Sequence, residues 1–480
     1  MELNRDVLQA RSFINNEWIG HSTTNVLSVT NKFDQNIIAT IPYADASEVQ
    51  FAISNSVQGF QAYSKFSALE RHDLLLKIRD GIQLEKEKFL NLIISEAGKP
   101  IDYARAEIER SLMVLQLAAE EAMRISGEVV PMNYGIGSGR TALTKRIPIG
   151  PVLAISPFNF PLNLALHKIA PALAAGCSVL LKPSPFTPLT ALAFASLCKR
   201  VGLPPGVLNV VVCRNEEAEL MLKDDRIKML SFTGSADVGW SLKAKAGKKK
   251  VVLELGGNAS VIVDRSANLD EAAKAIAFSA YNYAGQVCIS VQRIFVDHSI
   301  FDQFLEKFKT AVSELKMGSP SQEGVSIGPI IDRSHLERLQ TWINEAKIKG
   351  AQVVFGGDVI DLNHNLFAPT LLTSTQEDMK IVCEEAFGPI AVIEQVQYFD
   401  EVIRVINRSR YGLQAGLFTN QISQMKYAQE HLEVGALIIN GVPGFRVDSM
   451  PYGGVKDSGL GREGLRYAIE EMTEPRLLVY

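Results

Sequence analysis

The feature that most constrains the fold is a regular alternation of short apolar runs with segments of helical periodicity, which begins at Pro151. Strand, helix, strand at this rhythm indicates a parallel α/β sheet. Ligands of such sheets bind beyond the carboxyl ends of the strands, so functional residues are expected there. The predicted strands are VLAI (152–155), SVLL (178–181), VLNVVV (207–212), KMLSF (228–232) and VVLEL (251–255), and the predicted helices lie near 162–175, 188–201, 215–223 and 235–246.

A second series of the same kind follows, and we predict a domain boundary near Gly256 and Gly257. The chain has 480 residues, which is too many for one ordinary hydrophobic core, so two or three structural units are expected. The strands predicted for the second series are SVIVD (260–264), RIFVD (293–297), PIAVIEQV (389–396) and GALIIN (435–440), with helices near 268–280, 299–314, 333–349 and 400–409.

The remaining segments fit neither series. Residues 68–97 and 102–124 place apolar side chains at helical spacing. Residues 130–150 are typical of a glycine-turned hairpin, and the C-terminal sequence EPRLLVY predicts a further strand.

Charge and cysteine usage narrow the class of protein. The net charge of −4 does not favour a nucleic-acid or an anionic membrane partner. Five cysteines without a CxxC pair, and seven histidines without HExxH, favour neither a disulfide framework nor a metal site. The N-terminus lacks an apolar signal core, and the uncharged stretch 147–166 is broken by four prolines. We therefore expect a cytoplasmic protein with no membrane span.

Two short motifs imitate functional signatures. GIGSG (135–139) lacks the third glycine of a dinucleotide fingerprint and opens no convincing helix, so a hairpin turn is favoured. GVSIG (324–328) satisfies GxSxG, but it follows a polar loop and not the strand that a nucleophile elbow needs.

Three residues offer complementary chemistry. Cys288 in GQVCI is a candidate nucleophile, although a lone cysteine is more often a small buried hydrophobe. Glu254 ends an apolar strand before paired glycines, where burial of a carboxylate is costly unless it has a function; the alternative is a solvated strand end. Asn159 sits in a proline-bounded turn, PFNFP, and its amide can donate to an oxyanion, although taken alone a turn asparagine is favoured.

Taken together, these residues lie in a set of motifs that resembles the aldehyde dehydrogenase superfamily over nearly the whole chain. The order and spacing of the motifs resemble those of the hydrolytic members. The motifs are PFNFPLNL (157–164), KPSPFTP (182–188), FTGSADVG (232–239), LELGGN (253–258), GQVC (285–288), EEAFGPI (384–390) and PYGGVKDSGLGREG (451–464).

The resemblance implies a role for each catalytic candidate. Cys288 would attack an aldehyde, and Asn159 with the Cys288 backbone N–H would hold the oxyanion. Hydride would pass to a nicotinamide, and Glu254 would activate water to hydrolyse the thioester. Two alternative functions are open. Glu254 argues against a CoA-acylating dehydrogenase, and the presence of Cys288, Glu254 and Asn159 together argues against a non-enzymatic use of the fold.

The resemblance also implies an NAD or NADP site. Lys182 would meet the adenosine ribose, Ser235 the pyrophosphate, and Glu385 the nicotinamide ribose. Strict NAD members often carry a glutamate where this chain has Pro185, so we predict that NADP is at least tolerated, with Ser184 able to donate to its phosphate. The remaining cofactor-site predictions are Gly234, Phe158 and Phe387, the last near the nicotinamide ring.

The substrate is predicted less specifically. The C-terminal stretch resembles the lactaldehyde and phosphonoacetaldehyde dehydrogenase branch, which implies a short polar or anionic aldehyde; lactaldehyde-like and succinate-semialdehyde-like substrates both remain open. Arg446 would border the substrate entrance, with an exposed structural arginine as the alternative. Phe160, Val287 and Ile289 would make the surroundings of the cysteine apolar.

The implied fold class is α/β, with a Rossmann-like cofactor domain, a second α/β catalytic domain and a small β oligomerisation element. The family forms dimers or dimer-based tetramers, so a homo-oligomer is expected. The predicted division is 1–124 and 149–256 for cofactor binding, 257–440 for catalysis, 441–466 for a return to the cofactor domain with a substrate loop, and 125–148 with 467–480 for oligomerisation.

Overall fold

A computed structural model describes residues 10–20 and 25–480. The stretch before Ile149 is built mainly of four helices. Two begin at capping boxes, in which Asp45 pairs with Glu48 and Ser67 with Glu70, so the first free N–H groups are satisfied locally. The elements are β1 (Ser12–Ile14), β2 (Glu17–Ile19), β3 (Val26–Thr30), β4 (Ile37–Pro42), α1 (Ala46–Tyr63), α2 (Ala68–Leu84), α3 (Lys86–Ala97), α4 (Ile101–Ala122), β5 (Val129–Val130) and β6 (Ala142–Pro148).

The next stretch confirms the first predicted α/β series. Its five strands run parallel inside an eight-stranded sheet of order β2-β1-β9-β8-β7-β10-β11-β25. The elements are β7 (Val152–Ile155), α5 (Asn163–Ala175), β8 (Val179–Lys182), α6 (Pro188–Arg200), β9 (Leu208–Val210), α7 (Asn215–Lys223), β10 (Met229–Thr233), α8 (Ala236–Lys245) and β11 (Lys250–Glu254).

Helices cover both faces of this sheet. Val179 and Leu181 pack with α2 to α6 on one face, whereas Leu180 packs with α1 and α7 on the other. This division follows from the alternation of side chains along a strand. Because both faces are buried, the strands are continuous apolar runs.

The rest of the chain forms a second, seven-stranded sheet of order β16-β19-β20-β13-β12-β22-β23. Sequence analysis missed three of its strands, β16, β19 and β22; β22 is buried along its whole length, but its short sequence QAGLF lacks a strand signal. The elements are β12 (Ala259–Val263), α9 (Leu269–Tyr281), β13 (Val291–Asp297), α10 (Phe301–Ser313), β14 (Lys316–Met317), β15 (Val325–Ile327), α11 (Arg333–Ile348), β16 (Gln352–Phe355), β17 (Val359–Asp361), β18 (Leu366–Phe367), β19 (Thr370–Thr373), α12 (Lys380–Cys383), β20 (Ile390–Val396), α13 (Phe399–Asn407), β21 (Tyr411–Gly412), β22 (Gln414–Phe418), α14 (Ile422–His431), β23 (Ala436–Ile439), β24 (Val455–Lys456), β25 (Gly459–Leu460), α15 (Leu465–Glu471) and β26 (Thr473–Val479).

The predicted hairpin and C-terminal strand are both present. β5 pairs antiparallel with β6, and GIGSG lies in the connection between them. β26 pairs with the other edge of β6 along its whole length, from Thr473 opposite Pro148 to Val479 opposite Ala142. The three strands therefore form a small sheet within one chain, in which β26 lies at an edge.

The chain crosses between the sheets twice. β11 in the first sheet and β12 in the second flank the glycine pair 256–257, and β25 returns to pair antiparallel with β11. The predicted domain limits stay a prediction. Within residues 10–20 and 25–480, no helix is long and apolar enough to span a membrane.

Candidate active site

The carboxyl ends of β7, β8, β10 and β11 open onto a cleft of about 520 Å³. The turns that follow these strands line one side, as expected for a parallel sheet. Its other side carries Cys288, Glu385 and Phe387 from the region of the second sheet, with His335 and Arg338 from α11. The cleft therefore lies between the two sheets.

Eleven of the fifteen predicted site residues line this cleft. They are Cys288, Glu254, Asn159, Lys182, Ser184, Pro185, Gly234, Ser235, Glu385, Phe387 and Phe158. Val287 and Ile289 instead pack beside Cys288, with Leu413 and Tyr452. Phe160 stacks under the Lys99 ammonium and against Tyr283, and Arg446 is buried behind Tyr452.

Cys288 follows a tight turn in which Tyr283 and Ala284 both adopt left-handed backbone angles. Its Sγ lies 3.4 Å from the Tyr452 hydroxyl. Burial raises the pKa of the Cys288 thiol to about 11, and Glu385 and Glu254 act in the same direction. The thiol form is therefore favoured at neutral pH, and nucleophilic attack requires groups that stabilise the thiolate.

Glu254 is the last residue of β11 and is only 3% exposed. Neither carboxylate oxygen has a hydrogen-bond partner among the described residues. Burial raises the pKa of Glu254 well above its ordinary value, and the negative charge of Glu463 raises it further. A carboxylate with a raised pKa is a stronger base, which suits it to take a proton from water.

Asn159 follows β7 in the turn that leads to α5. Its Nδ2 donates a hydrogen bond to the carbonyl of Gln286 at 2.9 Å, which holds the amide beside the Cys288 loop. One amide hydrogen remains for a ligand. Within the described residues the backbone N–H of Cys288 also makes no hydrogen bond, so two donors are available near the sulfur.

Lys182 ends β8 and is 7% exposed. Within the described part of the chain it forms no ion pair, and burial lowers its pKa. The Ser184 hydroxyl accepts a hydrogen bond from the N–H of Phe186 at 3.3 Å, which leaves its own proton free to donate. An ammonium without a partner beside a hydroxyl donor suits ribose or phosphate oxygens.

Two glycines make close approaches that a side chain would block. A Cβ at Gly256 would lie 2.1 Å from a Glu385 carboxylate oxygen, and one at Gly234 would lie 2.6 Å from the Phe232 ring. Glu385 accepts a hydrogen bond from the Gly257 N–H at 3.1 Å, and burial raises its pKa to about 7. The missing side chain of Gly256 therefore lets the Glu385 carboxylate reach across the cleft.

Ser235 is the N-cap of α8, but its side chain makes no capping bond. The first-turn N–H groups of α8 therefore remain available to an anion. The rings of Phe158 and Phe387 lie edge to face at 5.7 Å. Together they form an apolar wall next to Cys288.

Comparison with known proteins agrees with this arrangement. Residues 18–478 match the model of the aldehyde dehydrogenase family. The chain belongs to this family. It is 44% identical over 475 residues to the 3-sulfolactaldehyde dehydrogenase of Priestia aryabhattai, with 98% of each chain covered.

Solved structures show the same fold. Aldehyde dehydrogenase 21 from Physcomitrella patens, in complex with the reaction product succinate, is 38% identical with a TM-score of 0.95, and 98% of each chain is covered. The NADP-dependent glyceraldehyde-3-phosphate dehydrogenase from Bacillus halodurans, complexed with NADP, is 34% identical with a TM-score of 0.95 and coverage of 98% of this chain and 99% of the other. The protein is an NAD(P)-dependent aldehyde dehydrogenase, as the resemblance in sequence implied.

The cleft of this aldehyde dehydrogenase has the features that a dinucleotide requires. The ammonium of Lys182, the uncapped N-terminus of α8 and the carboxylate of Glu385 offer groups for ribose and phosphate. Gly256 leaves the space through which Glu385 reaches. The residues present therefore fit NAD or NADP.

Sequence reasoning missed several residues of the site. His335 and Arg338 lie on α11, and Asn215 begins α7; all three line the cleft. No local motif marked these residues, and the position of His335 and Arg338 also depends on how the second sheet packs against the first. Tyr452 differs from these residues, because it lies within the motif PYGGVKDSG. The sequence did not predict its contact with Cys288.

A group of charged side chains, most of them buried, lies behind Cys288. Arg446 is 7% exposed in its side chain and pairs with Glu463 at 3.1 Å, and Lys168 pairs with the same carboxylate at 3.0 Å. Asp448 pairs with Arg110 at 2.7 Å and lies 3.0 Å from His167. Arg446 is thus not the exposed structural arginine that the sequence left open.

Proposed function

We propose that Cys288, Glu254 and Asn159 oxidise a short aldehyde that carries a negatively charged group. The observation that supports the three roles is their convergence, from distant parts of the sequence, on one cleft that also holds the residues fitted to the cofactor. The first test is to assay the purified protein with a panel of anionic and neutral aldehydes, with each cofactor and with or without CoA.

In the first half of the reaction, the Cys288 thiolate adds to the carbonyl carbon and forms a carbon–sulfur bond. The Asn159 amide and the Cys288 N–H donate to the developing oxyanion, which is the charge that such donors stabilise. NAD(P)⁺, when bound, accepts the hydride that leaves this carbon. The product of this half is a thioester on Cys288.

In the second half, Glu254 accepts a proton from water as the oxygen attacks the thioester carbon. The carbon–sulfur bond breaks, Cys288 leaves as the thiolate, and the carboxylic acid is released. The carboxylate of Glu254 is buried and has no hydrogen-bond partner among the described residues, which favours water over CoA as the acceptor, because CoA transfer needs no such base.

Two observations support an anionic substrate. The Priestia relative is named for an aldehyde that carries a sulfonate. Behind Cys288, Arg446, Arg110 and Lys168 supply three cations against the anions Asp448 and Glu463. The cations of this group outnumber its anions by one, which favours an anionic substrate.

Variants of the arginines test this substrate class. Arg446→Ala and Arg110→Ala should each reduce kcat/KM for anionic aldehydes at least tenfold more than for neutral aldehydes of similar length. Arg105→Ala is the matched control, because Arg105 lies on the same helix as Arg110 but pairs at the surface with Glu323. If the ratio of anionic to neutral substrates is unchanged in both variants, the cations do not select the substrate.

A further inference from the structure

The hydroxyl of Tyr452 is placed against the catalytic sulfur. The side chain is buried, and its backbone is fixed by a pair of hydrogen bonds with Glu463, at 3.0 and 2.7 Å. The hydroxyl oxygen lies 3.4 Å from Cys288 Sγ. Neither this hydroxyl nor the sulfur has another hydrogen-bond partner among the residues that the structure describes.

The proton in this contact belongs to the tyrosine when the cysteine is ionised. Burial raises the pKa of Tyr452 well above its ordinary value, and the neighbouring sulfur raises it further. A phenol that stays protonated donates its O–H, and a thiolate accepts it. Hydrogen bonds to a charged partner are stronger than those between neutral groups.

We propose that Tyr452 is a positioning residue that donates a hydrogen bond to the Cys288 thiolate and so stabilises the reactive form of the nucleophile. This inference rests on the proposed role of Cys288. The sequence predicted only apolar neighbours for Cys288, so it did not predict this hydrogen-bond donor.

Arg446 strengthens this donor. Its guanidinium carbon lies 3.7 Å from the centre of the Tyr452 ring, and Glu463 holds it there at 3.1 Å. A cation over the face of an aromatic ring is attracted to its electrons, and the charge of Arg446 acts to lower the pKa of the Tyr452 hydroxyl, which makes the hydroxyl a stronger donor. The buried arginine therefore acts on the sulfur through the ring, besides any contact with substrate.

The sulfur needs such a donor because its other neighbours oppose ionisation. Glu254 and Glu385 both raise the pKa of Cys288, as does burial. Tyr452 and Arg446 are the groups that lower it. Removal of the hydroxyl alone should therefore shift the ionisation of the thiol upward.

Tyr452→Phe is the direct test, because it removes the hydroxyl and keeps the ring under Arg446. Alkylation of Cys288 by iodoacetamide is followed across pH by mass spectrometry of the peptide that contains it, in the full chain with and without saturating NAD⁺. The midpoint should rise by about one pH unit and the rate at pH 7.5 should fall about tenfold. kcat/KM should fall by a similar factor and recover towards high pH.

Tyr281→Phe is the matched control. Tyr281 is also fully buried, but its hydroxyl donates to the carbonyl of Thr370 at 3.1 Å, in the core of the second sheet. It should leave the alkylation profile unchanged. If folded Tyr452→Phe keeps the wild-type midpoint and rate, the proposal is wrong. Alkylation does not require turnover, so this result is independent of whether Cys288 is the nucleophile.

Discussion

At the scale of single residues, the site contains a thiol and a carboxyl group, Cys288 and Glu254, whose charged forms are disfavoured by burial. Burial raises the pKa of both Cys288 and Glu254. For the carboxylate this change strengthens a base, whereas for the thiol it hinders ionisation. In the proposed mechanism, the same apolar surroundings therefore help deacylation and oppose acylation. Hydrogen bonds and cations near the sulfur would offset the second effect.

Cys288→Ala should abolish aldehyde oxidation, because no other group in the cleft can form the thioester. Cofactor binding should persist, since Lys182, Ser235 and Glu385 are untouched. Fluorescence titration with NAD(P)H checks binding, and the release of reduced cofactor checks turnover. Turnover near the wild-type rate would contradict the proposed nucleophile.

Glu254→Gln should separate the two halves of the reaction. Acylation should proceed and give a burst of reduced cofactor, but hydrolysis should slow about 10²–10⁴-fold because water loses its base. Rapid-mixing absorbance measures the burst, and mass spectrometry of the intact chain detects the thioester. A wild-type steady-state rate with no acylated enzyme would exclude Glu254 from this role.

At the scale of elements, the loop between β8 and α6 lines the cofactor cleft, and we propose that it governs the choice of cofactor. Pro185 lines the cleft next to Lys182 and Ser184. A proline side chain accepts no hydrogen bond from a ribose hydroxyl and carries no charge that would repel a phosphate. We therefore predict that the protein uses both NAD⁺ and NADP⁺, as measured by kcat/KM with each. A preference for NAD⁺ above roughly a thousandfold would contradict this.

Variants of the same loop test whether the missing charge at position 185 is what permits NADP⁺. Pro185→Glu should increase the ratio of NAD⁺ to NADP⁺ efficiency at least tenfold, because the new carboxylate accepts ribose hydrogen bonds and repels the 2′-phosphate. Pro185→Ala is the control, since it changes the loop without adding charge. An equal shift in both variants would mean that loop shape, and not charge, decides.

At the scale of the whole molecule, the small sheet leaves an apolar edge exposed. Leu477, Leu478 and Tyr480 are 56%, 60% and 66% exposed along or just after β26. β26 is an edge strand, and a cleft of about 590 Å³ lies beside it and β6. Unpaired strand edges promote pairing with another chain. We therefore propose that this sheet forms a subunit interface.

Multi-angle light scattering should show a dimer or a dimer-based tetramer at micromolar concentration. Leu478→Asp should shift the population towards smaller species, because it places a charge in the proposed interface. Leu84→Asp is the control, since Leu84 is 87% exposed at the end of α2. A stable wild-type monomer would defeat the proposal.

The sequence by itself determined the parallel α/β class and most element positions, because strand and helix periodicities are local. Every strand and helix predicted from Pro151 onward in the two series is present, within two residues at either end. Cys288, Glu254 and Asn159 are predicted as catalytic residues because each lies in a short motif, and the motifs together resemble one family; the structure places all three in one cleft. The strand β22 was missed because its burial between β12 and β23 comes from its neighbours and not from its own composition.

Only the tertiary structure decided which side chains meet. Packing of the second sheet against the first brings His335 and Arg338 into the cleft, from positions with no local signal. It also buries Arg446, which the sequence left open as an exposed arginine, and sets Tyr452 between its guanidinium and the Cys288 sulfur. The contact of Cys288 with Tyr452 joins residues 164 positions apart, so no local pattern encodes it. Burial and the resulting pKa shifts follow from the same long-range packing.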